Sequence, residues 1–474
     1  MHLVTELGQL ARRRPYFVAL VGGLNALAVI SLYIIYNERR HSVTFSPDTI
    51  APTSFSDALR LSALDHPNNS WIPLALSSCV FGMPTHYAPC AARTLPNLLY
   101  AEELIYPDFE LREPYFAKEE HRQRWRAYAG SDVEFRQRAA LNNGWVSYKG
   151  QAGQNIVFHR VKYEMGSFGA DTWAAQACMS GLVDTSPIQP LTDADRAMKV
   201  LPSALVALSP DSYSFQHYLD RVTHIIAQGL HLVRGATTPY ALTGRAGQKT
   251  VRQMWSQMGF PESHVLHSKP VAAETMVFSC RAVLVHPWLS SRTLELLGVE
   301  RTSPPSPTRN KVVYMSRSDG RAANGGRRVV NEEAVLRGIT ELLTGRDKGE
   351  ELVVFNPDDF TDVKELFAWF AANVIAVVGP HGGAMFNHRW ANQDILVLEF
   401  MPTTRIAVMI WEEASVLSQI YAAIVVEPTE KDGSDMVIDV ADVVSLLGQH
   451  LSVAEGEDPL RKSYPWKAKE LGFR

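Results

Sequence analysis

Three apolar segments in the C-terminal half of the chain each lead into residues whose types could bind a charged ligand. The first, Val312–Met315, precedes a glycine-rich loop with a serine and four arginines: Ser316, Arg317, Arg321, Arg327 and Arg328. The second, Val374–Val378, precedes the run GPHGGA at 379–384, and the third, Ile395–Phe400, carries Glu399 near its end. Arginines neutralise phosphates, glycines let a backbone approach a ligand closely, and a carboxylate can hold two sugar hydroxyls.

The periodicity of apolar residues predicts the elements that bring these groups together. Four segments are apolar throughout and predict buried strands: 312–315, 352–355, 374–378 and 395–400. They alternate with predicted helices, one N-capped by Asn331, one starting at Asp358-Asp359, and a short one over 384–390. This alternation is typical of a parallel sheet covered on both faces, as in a Rossmann-like domain. Because such sheets bind ligands beyond the carboxyl ends of their strands, the three groups predict a site for a diphosphate carrying a sugar or ribose.

Each group also has an ordinary structural explanation. Arginines in a glycine-rich loop commonly form a solvated surface, a Gly-Gly pair after a strand is often a tight turn, and a strand-terminal Glu often pairs with a cation. Their joint occurrence at the ends of successive strands favours a binding site. In that interpretation the arginines contact phosphates and Glu399 accepts hydrogen bonds from a ribose.

The composition excludes several classes of protein. The 474 residues include 46 Lys+Arg and 50 Asp+Glu, which lacks the basic character of a nucleic-acid-binding protein. No Gly-x-Gly-x-x-Gly, Walker A or Gly-x-Ser-x-Gly sequence occurs, which disfavours nicotinamide dinucleotides, P-loop chemistry and the common hydrolase mechanism. Asp193-Ala194-Asp195 has the D-x-D pattern of metal-dependent sugar transferases, but it opens a predicted helix instead of ending a strand. We therefore expect no essential metal and no cofactor.

An uncharged segment near the N-terminus predicts a membrane anchor. Tyr16–Tyr36 contains no charged residue, and as a helix it would be about 31 Å long, which matches a bilayer core. A cleavable signal peptide is the alternative, but its apolar core would be shorter. The cations before the span outnumber those after it by three to two, which favours a cytoplasmic N-terminus: Arg12, Arg13 and Arg14 against Arg39 and Arg40. This predicts a type II protein with its main part in the secretory lumen.

Four cysteines would lie in that oxidising lumen: Cys79, Cys90, Cys178 and Cys280. They allow up to two disulfides, of which Cys79 with Cys90 is the most local, and buried free thiols are the alternative. Residues 38–70 are rich in Ser, Thr, Pro and Asp and predict a stem between membrane and domain. The prolines of RTSPPSPTR predict a second linker at 301–310.

Two segments of the sequence resemble the signature of glycosyltransferase family 61. VVGPHGGAMFNHRWANQDILVLEF resembles the family's G-x-H-G-A-[GA]-[LM]-[TS]-N motif with its following strand, and VVYMSRSDGRAANGGRRVVNEEAVL resembles its S-R…R-R-x-x-N-E-E block. A third segment, FQHYLD at 215–220, is similar to an aromatic-His-x-x-x-Asp motif. The resemblance covers roughly residues 200–405.

The resemblance implies a GT-B fold of two Rossmann-like domains facing a cleft, and inverting sugar transfer from a nucleotide diphosphate sugar to a glycan or glycoprotein. Donors of the family suggest xylose or N-acetylglucosamine on uridine diphosphate, and its usual location is the Golgi or endoplasmic reticulum. Before the predicted domains, the chain would have a tail (1–14), a membrane helix (15–37) and a stem (38–70). The resemblance implies an N-terminal acceptor-side domain (71–300) and a donor-binding domain (311–430), joined by the linker (301–310). A C-terminal segment (431–474) would pack back on the N-terminal domain.

Roles for individual residues follow from the resemblance. Four residues would contact the diphosphate or order its loop: Ser316, Arg317, Arg328 and Asn331. Residues that would line the donor site are His381, Gly382, Gly383, Ala384 and Asn387, and Glu399 would contact the ribose. Asp220 is the first choice for the base that deprotonates the acceptor, His217 the second, and His381 contacts acceptor or donor phosphate. Two departures, Phe386 for a small hydroxyl residue and Gln216 for a common His, leave an alternative: a membrane-tethered accessory protein that binds glycan or nucleotide without turnover.

Overall fold

The computed structural model describes the following ranges of the chain: 71–79, 87–149, 152–163, 188–209, 213–233, 238–245, 247–267, 269–280, 284–299, 309–318, 325–451 and 458–462. The predicted tail, membrane helix and stem lie outside these residues, as do 301–308 of the predicted linker, Cys178 and Arg321. Within the described ranges, every helix is too short or too polar to traverse a bilayer.

The described strands, numbered along the chain, are β1 (Leu74–Leu76), β2 (Leu98–Ile105), β3 (Phe109–Arg112), β4 (Ala139–Asn142), β5 (Trp145–Tyr148), β6 (Ala152–Tyr163), β7 (Ile188–Pro190), β8 (Val200–Val206), β9 (Tyr240–Thr243), β10 (Val265–His267), β11 (Val271–Cys280), β12 (Lys311–Tyr314), β13 (Glu351–Val354), β14 (Val374–Pro380), β15 (Leu396–Pro402), β16 (Ile420–Val426) and β17 (Leu460–Lys462).

The described α-helices are α1 (Ala88–Ala92), α2 (Glu119–Ser131), α3 (Val133–Arg138), α4 (Phe215–His217), α5 (Thr223–Gly229), α6 (Lys249–Gln257), α7 (Pro287–Leu296), α8 (Glu332–Arg346), α9 (Val363–Asn373), α10 (Met409–Val416) and α11 (Val440–His450). A π-helical turn, Tyr218–Val222, joins α4 to α5. Short 3₁₀ helices are Asp193–Ala197, Leu230–Leu232, Glu262–His264, Pro357–Asp359, Gly383–Trp390 and Thr403–Arg405.

The C-terminal half folds around a five-stranded sheet that is parallel throughout, in the order β13-β12-β14-β15-β16. Its central strands are apolar and buried because α8 and α11 cover one face and α9 packs against the other. The predicted alternation of four strands and helices is confirmed, and β16 adds a fifth strand. The second predicted helix starts later than expected, since Pro357–Asp359 forms a separate 3₁₀ turn and Asp362 caps α9 by accepting from the Glu365 amide.

The N-terminal half contains an eight-stranded mixed sheet instead of a fully parallel one. Its order is β1-β2-β6-β11-β8-β9-β10, with β7 beside β6. Only the part from β11 through β8 and β9 to β10 is parallel, because the long strand β6 pairs antiparallel with both β2 and β11. The chain is therefore a mixed α/β protein, as predicted, but the Rossmann-like expectation for 71–300 holds for one side of this sheet alone.

The long strand β11 ends at Cys280, and the described residues 284–286 after it lie outside any strand. His286 caps α7 by accepting from the Trp288 amide. Closer to the N-terminus, β2 and β3 pair with β6 and β5, and the helices α2 and α3 follow them over the charge-rich residues 119–138.

A third, antiparallel sheet ties the two halves together. Its order is β17-β3-β5-β4, so the segment Leu460–Lys462 from the C-terminus pairs with a strand of the N-terminal half. Tyr115, just after β3, continues the parallel sheet by bridging to Ala422 of β16, and its amide donates to the Tyr421 carbonyl oxygen at 3.0 Å. A disulfide joins Cys79 to Cys90 of α1, the local pairing that the sequence suggested.

Candidate active site

The loops after β12 and β14 meet at the carboxyl edge of the parallel sheet. These strands are neighbours, and β15 lies next to β14 with Gly379 opposite Glu399. Ser316 and Arg317 follow β12, and His381 follows β14 directly. The side chains that the sequence predicted to converge therefore do so because their strands are adjacent and parallel.

His381 and Glu399 form a buried hydrogen-bonded pair. The His381 Nδ1 lies 2.5 Å from Glu399 Oε1, and the hydroxyl of Tyr421 on β16 donates to Glu399 Oε2. Glu399 is fully buried, and both its oxygens are engaged, so this carboxylate orients His381 and presents no free oxygen to a ribose. Because Nδ1 of His381 lies against this carboxylate, Nε2 is the ring atom left for a ligand. Burial, and then the neighbouring Glu399, raise the pKa of Tyr421 well above its usual value.

Arg317 lies against the glycine turn that follows β14. Its Nε donates to the Gly326 carbonyl oxygen at 3.1 Å, and a Cβ added at Gly382 would collide with its guanidinium group. A glycine at 382 is therefore what allows the cation to reach the backbone. The guanidinium group therefore lies against Gly382, the residue next to His381.

Arg327 is a second cation at the same place. It is only 5% exposed and has a left-handed φ of 59°. Burial, followed by repulsion from Arg317 and Arg405, lowers the pKa of Arg327 to about 10, while Glu399 acts in the opposite direction. Among the described residues, neither Arg327 nor Arg405 has a carboxylate within ion-pair distance. Arg327 thus lies near two other guanidinium groups and near Glu399, whose two oxygens are already engaged, so positive charge is concentrated at this edge.

Three other predicted residues order the arginine loop. Arg328 points to solvent, where its Nη2 donates to Asp435 Oδ2 at 2.6 Å. Asn331 precedes α8 without capping it; its side chain donates to the Ile438 carbonyl oxygen at 2.8 Å and accepts from the Ile438 amide at 2.9 Å. Ser316 Oγ donates to Glu332 Oε1 at 2.8 Å. These contacts fix the loop that carries Arg327.

The glycine turn continues into the 3₁₀ helix Gly383–Trp390. Asn387 stabilises this helix: its Nδ2 donates to the Ala384 carbonyl oxygen at 2.9 Å, and its Oδ1 accepts from Trp390 Nε1 at 2.9 Å. Phe386, one of the two departures from the family pattern, is fully buried in the core. This substitution therefore changes packing behind the turn and not the surface that faces a ligand.

A helical segment of the N-terminal half faces the glycine turn. Gln216 approaches Gly383, to within 3.8 Å of the point where a Cβ would lie, and its Nε2 is 2.7 Å from the sulfur of Met409 on α10. One turn further, Asp220 is 8% exposed, with Nδ1 of His217 at 3.6 Å and Nε of Arg221 at 3.5 Å. Asp220 and His217, the two predicted bases, thus lie on the opposite half of the molecule from the arginines.

Sequence reasoning assigned no site role to Arg405 or Tyr421, and it placed Arg327 in the arginine loop without separating it from Arg328. Arg405 follows β15 closely, so the rule that selected residues after strands could have found it. Nothing local distinguishes Arg327 from Arg328. The choice between them depends on backbone geometry, in which Gly326 and Arg327 both have positive φ, and on Asp435, which lies over 100 residues further along the chain.

The D-x-D sequence has a structural role. Asp195 caps its own turn by accepting from the amide and hydroxyl of Thr192, at 2.9 and 2.7 Å, and it pairs with Lys162 at 3.1 Å. These hydrogen bonds, first that from the Thr192 amide, lower the pKa of Asp195 to about 2. Across the ranges the structure describes, no three His, Cys, Asp or Glu side chains are grouped so that they could hold a metal ion.

Comparison with known proteins points to one family. The family described as "Glycosyltransferase 61" matches residues 197–398, a stretch that includes Asp220, Arg317 and His381, so this part of the chain is similar to that family and supports glycosyltransferase activity. No curated protein matches the chain. Among solved structures, a mutant flavo di-iron protein from Thermotoga maritima is 14% identical with a TM-score of 0.21. The match covers 49% of this chain and 52% of that one, about half the length of each.

Proposed function

We propose that this chain is a family 61 glycosyltransferase that moves a sugar, xylose or N-acetylglucosamine, from a uridine diphosphate donor to a glycan or glycoprotein. The observation that carries the proposal is the group of three arginines around His381 at the carboxyl edge of the parallel sheet, inside or beside the matched segment. A nucleotide diphosphate sugar supplies the dianionic group that such a cluster would bind.

The chemistry would be a single inverting displacement. A base removes the proton of the acceptor hydroxyl, the acceptor oxygen bonds to the anomeric carbon, and the bond to the diphosphate oxygen breaks. Arg317 and Arg327 would stabilise the charge that develops on the departing diphosphate, with Nε2 of His381 beside them. Glu399 and Tyr421 would act behind His381, by holding its ring in one orientation.

The base would come from the opposite half. Asp220 is the first candidate because it lies on the segment that faces the glycine turn and one of its oxygens, Oδ1, lacks a hydrogen bond. His217, beside it, is the second. The fold would then work as GT-B enzymes do, with the donor on the C-terminal half and the acceptor on the N-terminal half.

Location is part of the proposal. The segment 15–37 would anchor the protein in the Golgi or endoplasmic reticulum membrane as a type II protein, with residues 38–474 in the lumen. The Cys79–Cys90 disulfide supports an oxidising compartment.

The direct test uses the full-length protein in detergent. Thermal shifts and calorimetry with uridine diphosphate, and then release of uridine diphosphate from uridine diphosphate sugars in the presence of glycan acceptors, measure donor binding and turnover. Arg317→Ala removes a charge-assisted contact to phosphate, so affinity should fall roughly 10- to 150-fold. Arg328→Ala is the matched control, because that side chain points to solvent and the residue's backbone amide keeps its hydrogen bond to Asp435 Oδ1 at 2.9 Å, so the loop stays tied. Its affinity should stay within about 3-fold of the wild type.

The outcomes separate the alternatives. Tight nucleotide binding with no turnover on any donor and acceptor would favour the accessory protein without catalytic activity. No binding of any uridine or guanosine diphosphate sugar, or equal losses in the Arg317 and Arg328 variants, would contradict the proposed site.

A further inference from the structure

A fully buried arginine joins the two halves of the molecule at the turn that carries Asp220. Arg389 lies in the 3₁₀ helix after the glycine turn, is 0% exposed, and donates through Nη1 to the Leu219 carbonyl oxygen at 2.9 Å. Its Nη2 is 3.3 Å from Oε2 of Glu413 on α10, a carboxylate that is also buried. The guanidinium group therefore contacts the residue next to Asp220 from the half that holds the arginine cluster.

The backbone at this point has an unusual form. Tyr218–Val222 is a π-helical turn, a rare conformation that occurs frequently at functional sites. Its Leu219 carbonyl oxygen also accepts from the hydroxyl of Thr223 at 2.7 Å, so two side-chain donors hold one carbonyl. Because Asp220 follows Leu219 directly, these two donors fix the place from which the Asp220 carboxylate projects.

Burying the ion pair of Arg389 and Glu413 between the two halves is energetically costly. Removing a guanidinium group and a carboxylate from water costs several kcal/mol per ion, and packed apolar side chains often stabilise as well or better. Ser290 of α7 also donates to Glu413 Oε2, at 3.2 Å, so the pair is held from the N-terminal half on both sides. We therefore interpret this buried ion pair as a contact that fixes the geometry between the two halves, which apolar packing would leave less defined.

We propose that Arg389 is a positioning residue for Asp220. Arg389 would hold this base at the distance from the donor that sugar transfer requires. The proposal rests on the function proposed above and deepens it. The helix that carries Arg389 begins at Gly383, beside the Gly382 on which Arg317 rests. This short 3₁₀ helix thus connects the proposed donor-phosphate site to the turn that carries Asp220, the proposed base.

Charged groups act on Asp220 from its own segment and from α10. His217 and Arg221 lie on its own segment, at 3.6 and 3.5 Å, and Glu413 acts on it from α10. Burial, opposed by Arg389 and reinforced by Asp220, raises the pKa of Glu413. Altering Arg389 therefore changes both the position of Asp220 and the charge that it faces, so the pH dependence of turnover should change with it.

The test compares two conservative variants of the full-length protein. Arg389→Lys keeps the charge but loses the planar fork that reaches Leu219 and Glu413 together. Arg138→Lys is the matched control, because Arg138 forms another ion pair between the halves, with the buried Glu412, and has no contact with the Asp220 turn. Amide exchange of the peptide containing residues 218–223 is followed by mass spectrometry, and kcat, donor KM and the pH profile of kcat/KM are measured well below both melting temperatures.

We expect Arg389→Lys to speed amide exchange in residues 218–223 about tenfold and to lower kcat about 100-fold, with donor KM within about twofold of the wild type. Its pH profile should shift, while Arg138→Lys changes none of these readouts. Unchanged exchange in Arg389→Lys, or faster exchange with unchanged kcat, would overturn the positioning role while the proposed function stands. If the wild type transfers no sugar, the proposed function fails, and faster exchange in Arg389→Lys alone still supports the structural link to Asp220.

Discussion

Arg327 shows at the scale of one residue how binding and stability oppose each other in this protein. Its guanidinium group is buried near two other arginines, and among the described carboxylates the engaged Glu399 is the one that acts on it in the opposite direction. Because the pKa of Arg327 is lowered in the folded state, its charged form destabilises the fold at neutral pH. An anionic ligand would remove that cost, so we expect the residue to contribute to binding at the expense of stability.

Arg327→Met should therefore separate the two effects. The free energy of unfolding without ligand should stay unchanged or rise by about 1 kcal/mol, because an apolar side chain replaces a buried cation with no ion-pair partner. The affinity for uridine diphosphate should fall roughly tenfold or more. Urea unfolding and calorimetric titration measure the two quantities.

Arg328→Met is the neighbouring control for this prediction. It loses an exposed, solvent-screened pair with Asp435, so neither stability nor affinity should change measurably. A variant at 327 that is strongly destabilised, or one that binds nucleotide as well as the wild type, would show that this cation belongs to the fold and not to the anion site.

At the scale of one element, the turn after β14 contains two glycines with different requirements. Gly379 has a φ of 155°, and a Cβ there would lie 2.7 Å from the backbone oxygen of Met315, which directly follows β12. Gly382 is extended, and a Cβ there would meet only the guanidinium group of Arg317. Backbone cannot move aside cheaply, whereas the end of an arginine side chain can.

The two alanine variants should therefore affect different properties, Gly379→Ala mainly the stability and Gly382→Ala mainly the binding of the ligand. Gly379→Ala should lower the free energy of unfolding by about 2–3 kcal/mol, since both strain and a backbone collision oppose it. Gly382→Ala should cost less than about 1 kcal/mol in stability but weaken uridine diphosphate binding severalfold, because Arg317 is displaced. Thermal unfolding and calorimetry distinguish the effects, and equal stability losses in both variants would contradict this interpretation.

At the scale of the whole molecule, the two halves are interlocked and do not form separate units joined by one linker. Arg138 at the end of α3 donates to the buried Glu412 of α10, which also accepts from the hydroxyl of Tyr148 at 2.5 Å. Trp411 Nε1 donates to the Arg112 carbonyl oxygen at 2.8 Å, and β17 pairs with β3. The two halves are therefore joined by contacts that lie outside the candidate site.

Arg138→Met tests this interlock. It leaves Glu412 buried without its cation, so the free energy of unfolding should fall by about 3–5 kcal/mol. Arg138→Met combined with Glu412→Met removes both charges and should recover most of the loss. Chemical denaturation of each variant provides the measurement.

The exposed pair between Arg122 and Glu119 on α2 supplies the control for the interlock. Arg122→Ala should cost less than about 1 kcal/mol. If the double variant at 138 and 412 is no more stable than Arg138→Met alone, the loss comes from packing of the arginine side chain and not from the unpaired carboxylate.

The sequence by itself determined the parallel sheet of the C-terminal half and the convergence of Arg317, His381 and Glu399 at its edge. This was predictable because buried parallel strands are apolar throughout, and because adjacent parallel strands bring the residues that follow them to one edge. The Cys79–Cys90 disulfide was predictable as the most local pairing. These features depend on short stretches of chain and one topological rule.

Only the tertiary structure decided what the converging side chains do. Glu399 turns to His381 because Tyr421 of β16, a strand that the sequence did not predict, occupies its other oxygen. Arg327 lies inside and Arg328 outside because Asp435 holds the latter at the surface. Arg389 reaches the Leu219 carbonyl oxygen, next to Asp220, from 170 residues away. Such contacts depend on the packing of distant segments, which the spacing of residues along the chain does not encode.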